Sequence, residues 1–182
     1  VHGGMGFIEE TGAAQHYRDA KILTIYEGTT AIQANDLVGR KTLRDGGQTA
    51  KAIAQQVAAT VAELKKNGSA DALAVAARLD AARRAFVDVV EFMVAEKDPN
   101  AVYAGSVPYL MLAGNLMAGW QLARALLVAQ AELARAEDEA FMQSKITVAR
   151  FYAEHMLSKA PGSRDSIVEG AASVTALALE AF

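Results

Sequence analysis

Hydrophobic residues recur at helical spacing through most of the chain. In the first long segment, Ile53, Val57, Val61 and Leu64 stand three or four residues apart, which places them on one face of a helix. Three later segments repeat the pattern, at Leu79, Phe86, Val90 and Met93, at Tyr109, Leu112, Leu116, Ala123, Leu127 and Ala134, and at Ile146, Ala149, Ala153 and Met156. The pattern therefore predicts four long amphipathic helices, the third apolar on more than one side.

Short breaks separate these segments. Asp45-Gly46-Gly47, Asn67-Gly68-Ser69 and Asp98-Pro99-Asn100 combine turn residues with helix-capping residues. Pro161-Gly162-Ser163 is predicted to break the last long helix, and the tail from Asp165 to Phe182 is predicted to form one or two short helices. Helices joined by short turns indicate an all-α, up-and-down helical bundle.

The N-terminal stretch has a different pattern. Glycines at residues 3, 4 and 6 predict a tight loop, and Glu9 to Thr11 can begin a short helix running to about Lys21. The β-branched and aromatic residues 22–26 predict an extended connection. Thr29 or Thr30 can then cap the next helix.

Asp45-Gly46-Gly47 is the strongest break in the chain and gives the predicted domain boundary. Residues 1–45 form one predicted domain and residues 46–182 a helical bundle. The chain opens with Val1-His2-Gly3-Gly4, inside a turn and without an initiator methionine. We therefore expect it to be the C-terminal piece of a longer protein.

Composition narrows the functional classes. Of 182 residues, 52% are hydrophobic and 3 are proline, which favours a helical protein with a sizeable core. The net charge of -3 argues against nucleic acid or an anionic membrane as the main partner. Absence of cysteine excludes disulfides, thiolate catalysis and thiolate metal sites, and the spacing of histidines and acids predicts no metal site.

One segment approaches the length of a membrane span. Gly105 to Ala123 contains no charged residue, but Asn115, Gln121 and three glycines interrupt it, and Arg124 follows at once. We interpret it as a buried helix of a soluble bundle, and no secretory signal precedes the fold.

Glu27 is the candidate for chemistry. It stands between Tyr26 and Gly28 in a connection between predicted helices, whereas most other acids lie on solvated helix faces. Apolar surroundings disfavour the charged form and raise the pKa of a carboxyl toward the range of a general base. From the residues alone, a helix cap or an ion-pair partner remains the alternative.

The glycines at Gly3, Gly4 and Gly6 admit two interpretations. A simple turn is the first. Exposed backbone amides that hold an anion, such as a pyrophosphate, are the second.

Three motifs in order resemble the last part of acyl-CoA dehydrogenases. They are Val1-His2-Gly3-Gly4-Met5-Gly6-Phe7, Tyr17-Arg18-Asp19-Ala20-Lys21-Ile22, and Ile25-Tyr26-Glu27-Gly28-Thr29 with Ile32-Gln33. The resemblance covers about residues 1–41. Its specificity comes from the order and spacing of the motifs.

The resemblance implies a reaction. Glu27 matches the base that removes the α-proton of an acyl-CoA thioester, while the β-hydrogen leaves as hydride to FAD and a trans-2-enoyl-CoA forms. The backbone N–H of Glu27, with a flavin ribityl hydroxyl, would hydrogen-bond the thioester carbonyl. Tyr26 and Gly28 would border the substrate.

The resemblance also implies cofactor contacts and partners. Gly3 and Gly4 resemble the segment that meets the FAD adenosine pyrophosphate of a neighbouring subunit. Thr29 and Ala31 resemble FAD contacts, although Ala31 stands where a polar residue is common, so only its backbone would take part. Expected partners are acyl-CoA, electron-transfer flavoprotein and further copies in a homodimer or homotetramer, in the bacterial cytoplasm and in fatty acid metabolism.

The residues after Gly39 look like the extra C-terminal helical domain of a larger, mostly bacterial branch, which includes 3-methylmercaptopropionyl-CoA dehydrogenases. That domain is expected to pack on the core and to assist the oligomer or cover the cofactor. Two alternatives remain at this stage. The first is that the protein is an acyl-CoA oxidase. The second is that residues 1–182 are a non-catalytic helical assembly module. Residues 1–182 alone are expected to be inactive.

Overall fold

A computed structural model of the chain describes residues 2–25, 30–135, 138–174 and 176–181. Within these ranges the regular elements are helices and there is no strand, which confirms the all-α prediction. The chain forms two compact units, Val1–Gln33 and Ala34–Phe182. The predicted domain boundary after Asp45 stays a prediction.

The first unit consists of two single-turn 3₁₀ helices, Gly3–Gly6 and Glu9–Thr11, followed by helix α1, Ala13–Ile25. The Thr11 hydroxyl lies 2.8 Å from the Met5 carbonyl oxygen and 3.0 Å from that of Ile8, so it ties the two turns together. Gly12 takes a φ of 75° and starts the path into α1.

The extended connection predicted after Lys21 is wrong for the described residues, because α1 continues to Ile25. The β-preference of residues such as Ile and Thr arises mainly from sheet neighbours, and the part of the chain that the structure describes contains no strand. Each residue added to an existing helix gains a backbone hydrogen bond, so helix growth prevails over this weak local preference.

The division between the two units falls inside helix α2, Thr30–Asp36. A π-helix, Leu37–Thr42, and a 3₁₀ turn, Leu43–Asp45, follow. The remaining α-helices are α3 Gln48–Asn67, α4 Ala70–Ala95, α5 Pro99–Ala104, α6 Ser106–Leu133, α7 Glu139–His155, α8 Ala160–Val168 and α9 Ala171–Val174. A 3₁₀ turn, Leu157–Lys159, lies between α7 and α8, and another ends the described chain at Leu179–Ala181.

Helix α4 is the centre of the bundle. It packs against α3, α6, α7 and α8. Its buried residues include Val75, Leu79, Val89 and Met93, each at most 1% exposed. Because these residues belong to one continuous hydrophobic cluster, the second unit has a single core.

The break predicted at Asp45-Gly46-Gly47 is present, and its geometry explains the residue types. Gly46 and Gly47 have φ values of 62° and 76°, which favour glycine. The two carboxylate oxygens of Asp45 accept hydrogen bonds from the backbone N–H groups of Gly47 and Thr49, each at 3.0 Å. Asp45 thereby caps α3 from just outside the helix.

The inner face of α6 differs slightly from the predicted one. Tyr109, Leu112, Leu116 and Ala123 are buried as predicted. Farther along, Leu126 and Ala129 are buried instead of Leu127 and Ala134, and Ala134 lies beyond the end of α6. A helix that is apolar on several sides does not fix its own rotation, so its neighbours select the buried face. None of the described helices is long and apolar enough to cross a membrane.

The last long helix ends earlier than predicted. Helix α7 stops at His155, and Pro161 lies in the first turn of α8. A proline in the first turn lacks only an N–H that would have no helical partner. Pro161-Gly162-Ser163 therefore starts a helix and does not break one.

Substitution by alanine at two glycines of α6 is expected to change the free energy of unfolding in opposite directions. A Cβ at Gly119 would lie 2.7 Å from Leu157 Cδ1, and Leu157 is fully buried, whereas nothing lies within 4 Å of a Cβ at Gly114. Gly119→Ala is expected to lower the free energy of unfolding by about 1–3 kcal/mol through overpacking. Gly114→Ala is expected to raise it by up to about 1 kcal/mol through helix propensity. Urea denaturation of both variants measures the difference, and equal effects would contradict the packing at Gly119.

Candidate functional site

The predicted base, Glu27, and the predicted substrate-bordering residues, Tyr26 and Gly28, lie outside the described residues, as does Thr29, which was predicted to contact FAD. Their catalytic and binding roles stay predictions. The other predicted cofactor residues, Gly3, Gly4 and Ala31, are described.

Gly3 and Gly4 form an open turn. Gly3 has a φ of 55°, and both residues are exposed. Nothing lies within 4 Å of the position that a Cβ would take at either one. A ligand can therefore approach the backbone of this turn closely, as the anion-binding interpretation requires.

Ala31 is the second residue of α2, and its side chain is exposed. The methyl group has no polar atom. Any polar contact of Ala31 with a cofactor must therefore come from its backbone.

The first unit also contains an exposed ion pair, in which Arg18 Nη2 lies 3.0 Å from Glu9 Oε1. This contact joins α1 to the second 3₁₀ turn. Among the described residues, no group of three or more His, Asp or Glu residues could hold a metal ion.

The second unit contains a buried polar pair that was not predicted from the sequence. Tyr109 is 1% exposed, and its hydroxyl lies 2.9 Å from Thr42 Oγ1. Thr42 Oγ1 also donates to the Leu37 carbonyl oxygen at 2.9 Å. Because the only hydroxyl hydrogen of Thr42 is used in that bond, Tyr109 is the donor in the pair. The pair is 67 residues apart in sequence, so no local pattern could have predicted it.

A second tyrosine touches the same π-helix. A Cβ at Gly39 would lie 2.8 Å from the Tyr103 hydroxyl oxygen, so the missing side chain lets the ring approach the backbone. Tyr103 lies on α5 and Tyr109 lies on α6. The Leu37–Thr42 segment thus accepts a hydrogen bond from Tyr109 and lies close to the Tyr103 hydroxyl. π-Helical turns are often found at functional sites.

Burial raises the pKa of Tyr109, the hydrogen bond with Thr42 lowers it, and the negative charge of Asp45 raises it further. Burial has the largest effect, so the phenol stays protonated and remains a hydrogen-bond donor well above neutral pH. A tyrosine pKa that is higher in the folded state than in the unfolded state stabilises the fold. This contribution is fully present below the unfolded-state pKa of about 10 and is lost as the pH rises through the folded-state pKa.

The stability of the second unit is therefore expected to fall in alkaline solution. Tyr109→Phe should make this fall shallower between about pH 9 and pH 11. A remaining slope is expected because burial also raises the pKa of Tyr152. Guanidinium denaturation at successive pH values measures the effect, with Tyr17→Phe as the exposed control. A wild-type slope in Tyr109→Phe would contradict the assignment.

Two family models match the chain. The model described as "Acetyl-CoA dehydrogenase C-terminal like" matches residues 49–178, and "Acyl-CoA dehydrogenase, C-terminal domain" matches residues 1–43. The chain belongs to the acyl-CoA dehydrogenase family. Residues 44–48 lie between the two matches and contain the Asp45-Gly46-Gly47 break.

Curated acyl-CoA dehydrogenases are similar over nearly the whole chain. A 3-methylmercaptopropionyl-CoA dehydrogenase from Ruegeria pomeroyi is 55% identical over 93% of this chain and 29% of its own length. The broad-specificity linear acyl-CoA dehydrogenase FadE5 from Mycobacterium tuberculosis is 36% identical over 91% of this chain and 28% of its own length. A butyryl-CoA dehydrogenase from Syntrophomonas wolfei is 33% identical over 99% of this chain. The chain spans less than a third of the length of these relatives.

Short-chain specific acyl-CoA dehydrogenases match over a short stretch of the chain. The human mitochondrial enzyme is 54% identical over 21% of this chain. The chain therefore combines a segment similar to such enzymes and a longer helical part that is similar to the bacterial relatives.

Proposed function

We propose that the chain is the C-terminal part of an FAD-dependent acyl-CoA dehydrogenase that converts an acyl-CoA thioester into a trans-2-enoyl-CoA. The main support is the 55% identity over 93% of the chain to a 3-methylmercaptopropionyl-CoA dehydrogenase. The glutamate of the Tyr26-Glu27-Gly28-Thr29 motif supplies the carboxylate base that this reaction requires. The identity does not select an acyl group, so the proposal names the thioester class.

In this proposal the Glu27 carboxylate removes the α-proton of the thioester. The electrons of that C–H bond become the second bond between the α- and β-carbons, and the β-hydrogen departs with its electron pair. FAD, when bound, supplies the acceptor for that hydride. The backbone N–H of Glu27 donates to the thioester oxygen, where negative charge develops, and so lowers the barrier. Tyr26 and Gly28 border the acyl group, and Gly28 leaves room for it.

The described residues are compatible with FAD. The open turn at Gly3 and Gly4 leaves its backbone accessible to a pyrophosphate. Ala31 would contribute its backbone, and Thr29 would contribute beside it. These residues would hold the cofactor together with parts of the polypeptide that relatives of greater length possess.

The helical bundle of the second unit is proposed to support assembly. It has a hydrophobic core of its own, as a supporting domain requires. We propose a homodimer or homotetramer that transfers electrons to electron-transfer flavoprotein in the bacterial cytoplasm. Residues 1–182 alone are expected to be colourless and inactive, and a flavin absorption spectrum in this purified chain would contradict that expectation.

Anaerobic mixing of the full-length protein with acyl-CoA tests the proposed function. Acyl-CoAs of several chain lengths should bleach the oxidised flavin absorbance, and enoyl-CoA should form in equal amount. Addition of electron-transfer flavoprotein should restore the colour. Lack of bleaching with every acyl-CoA would refute the proposal, and rapid peroxide formation in air would indicate an oxidase instead.

A further inference from the structure

The second unit contains an apolar cavity of about 220 Å³ beside the π-helix. Its walls come from the π-helix, α3, α4 and α6. The apolar lining includes Leu37, Ile53, Phe86, Ala113, Leu116 and Met117. The cavity opens to solvent on one side, so a small ligand can enter it.

The hydroxyl groups in the wall are already satisfied. Tyr109 donates to Thr42, and Thr42 donates to the Leu37 carbonyl. Since these two groups offer no spare hydroxyl hydrogen and most of the lining is apolar, the part of a ligand that enters the cavity is expected to be apolar.

The mouth of the cavity has a cation. Lys41 and Thr49 line the cavity and are exposed, which places its opening beside them. Among the described residues, Lys41 has no ion pair. The Asp45 carboxylate keeps its negative charge, which reaches Tyr109 in the wall, but its two oxygens accept hydrogen bonds from the backbone N–H groups of Gly47 and Thr49 at the α3 cap. Lys41 is therefore the group at the mouth that can pair with an anionic ligand.

Size sets the class of the apolar part. A dry cavity of about 150 Å³ lined by Leu, Ile and Phe accepts benzene, so the larger cavity here accepts an unbranched chain of medium length. The unbranched, flexible Met117 in the lining can adjust to such a chain.

We propose that the cavity between the π-helix and helices α3, α4 and α6 binds a medium-length aliphatic carboxylate, with the chain inside and the carboxylate beside Lys41. This site is separate in sequence from the Glu27 motif and does not depend on the proposed dehydrogenase activity. It gives the second unit a ligand of its own.

Isothermal titration calorimetry of the full-length protein with octanoate tests the proposal. Octanoate should bind saturably, octan-1-ol more weakly and octylammonium weakest, because only the carboxylate complements Lys41. Ala113→Leu should weaken octanoate binding at least tenfold by filling the cavity. Ala131→Leu, at an exposed position of the same helix, should leave binding unchanged.

Lys41→Ala should weaken octanoate binding about two- to fivefold, as expected for an exposed ion pair. Lys66→Ala, at the far end of α3, is the matched control. In methyl-labelled wild-type protein, octanoate should shift the Met117 methyl resonance and not that of the exposed Met111. Absence of saturable binding, binding that survives Ala113→Leu in a folded variant, or an unshifted Met117 resonance would overturn the proposal.

Discussion

Leu79→Ala is expected to lower the free energy of unfolding by about 2–5 kcal/mol. Leu79 has 0% exposure and lies on α4, which packs against four other helices. Alanine would remove three buried carbon atoms and leave a cavity that the surrounding helices cannot fully close. This is the largest stability effect that we predict.

Leu73→Ala is the matched control, because it makes the same change on the same helix at a position that is 46% exposed. Its effect should be within about 1 kcal/mol, since less apolar surface is lost and no internal cavity forms. Urea denaturation followed by circular dichroism measures both variants. Similar losses in the two would show that α4 is not the centre of the core.

Glu27→Gln is expected to lower acyl-CoA turnover of the full-length protein by about 10²–10⁴-fold. Glutamine keeps the size of the side chain but cannot accept the α-proton. The backbone N–H remains, so binding of the thioester should change much less than the turnover number. Steady-state assays with an artificial electron acceptor measure the two effects separately.

Glu10→Gln removes an exposed acid from the same unit and serves as the control. It should retain wild-type turnover. If Glu27→Gln also retained wild-type turnover, the assignment of the base would be wrong, although membership of the family would stand.

Long helices were predictable because each one carries its own periodic signal. The junction between α3 and α4 shows this well. Gly68 has a φ of 76° and ends α3, and the Ser69 side chain accepts a hydrogen bond from the Ala72 N–H at 3.1 Å. Both roles follow from residue type and position alone, as predicted for Asn67-Gly68-Ser69.

Features that depend on tertiary context were not predictable. The continuation of α1 to Ile25 and the position of Pro161 in the first turn of α8, which begins at Ala160, depend on where a whole helix begins and ends and not on the preference of single residues. The Thr42–Tyr109 hydrogen bond joins elements far apart in sequence, and neither residue type signals it. The cavity beside the π-helix likewise arises where several helices meet.

The catalytic prediction has a different basis. Composition and periodicity left three interpretations of Glu27, as a catalytic base, a helix cap or an ion-pair partner. The order of three motifs that resemble acyl-CoA dehydrogenases selected the catalytic base. The family matches at residues 1–43 and 49–178 agree with that resemblance. Glu27 lies outside the described residues, so its role depends on chemistry that can be measured directly.

The most direct measurement is the rate of flavin bleaching in a single turnover, with acyl-CoA that carries either hydrogen or deuterium at the α-carbon. In the wild-type full-length protein, deuterium should slow bleaching several-fold, because the bond to the α-hydrogen breaks in the same event. In Glu27→Gln, neither thioester should bleach the flavin on the wild-type timescale. Bleaching of Glu27→Gln at the wild-type rate, with the same isotope effect, would contradict the proposal that Glu27 removes the α-proton.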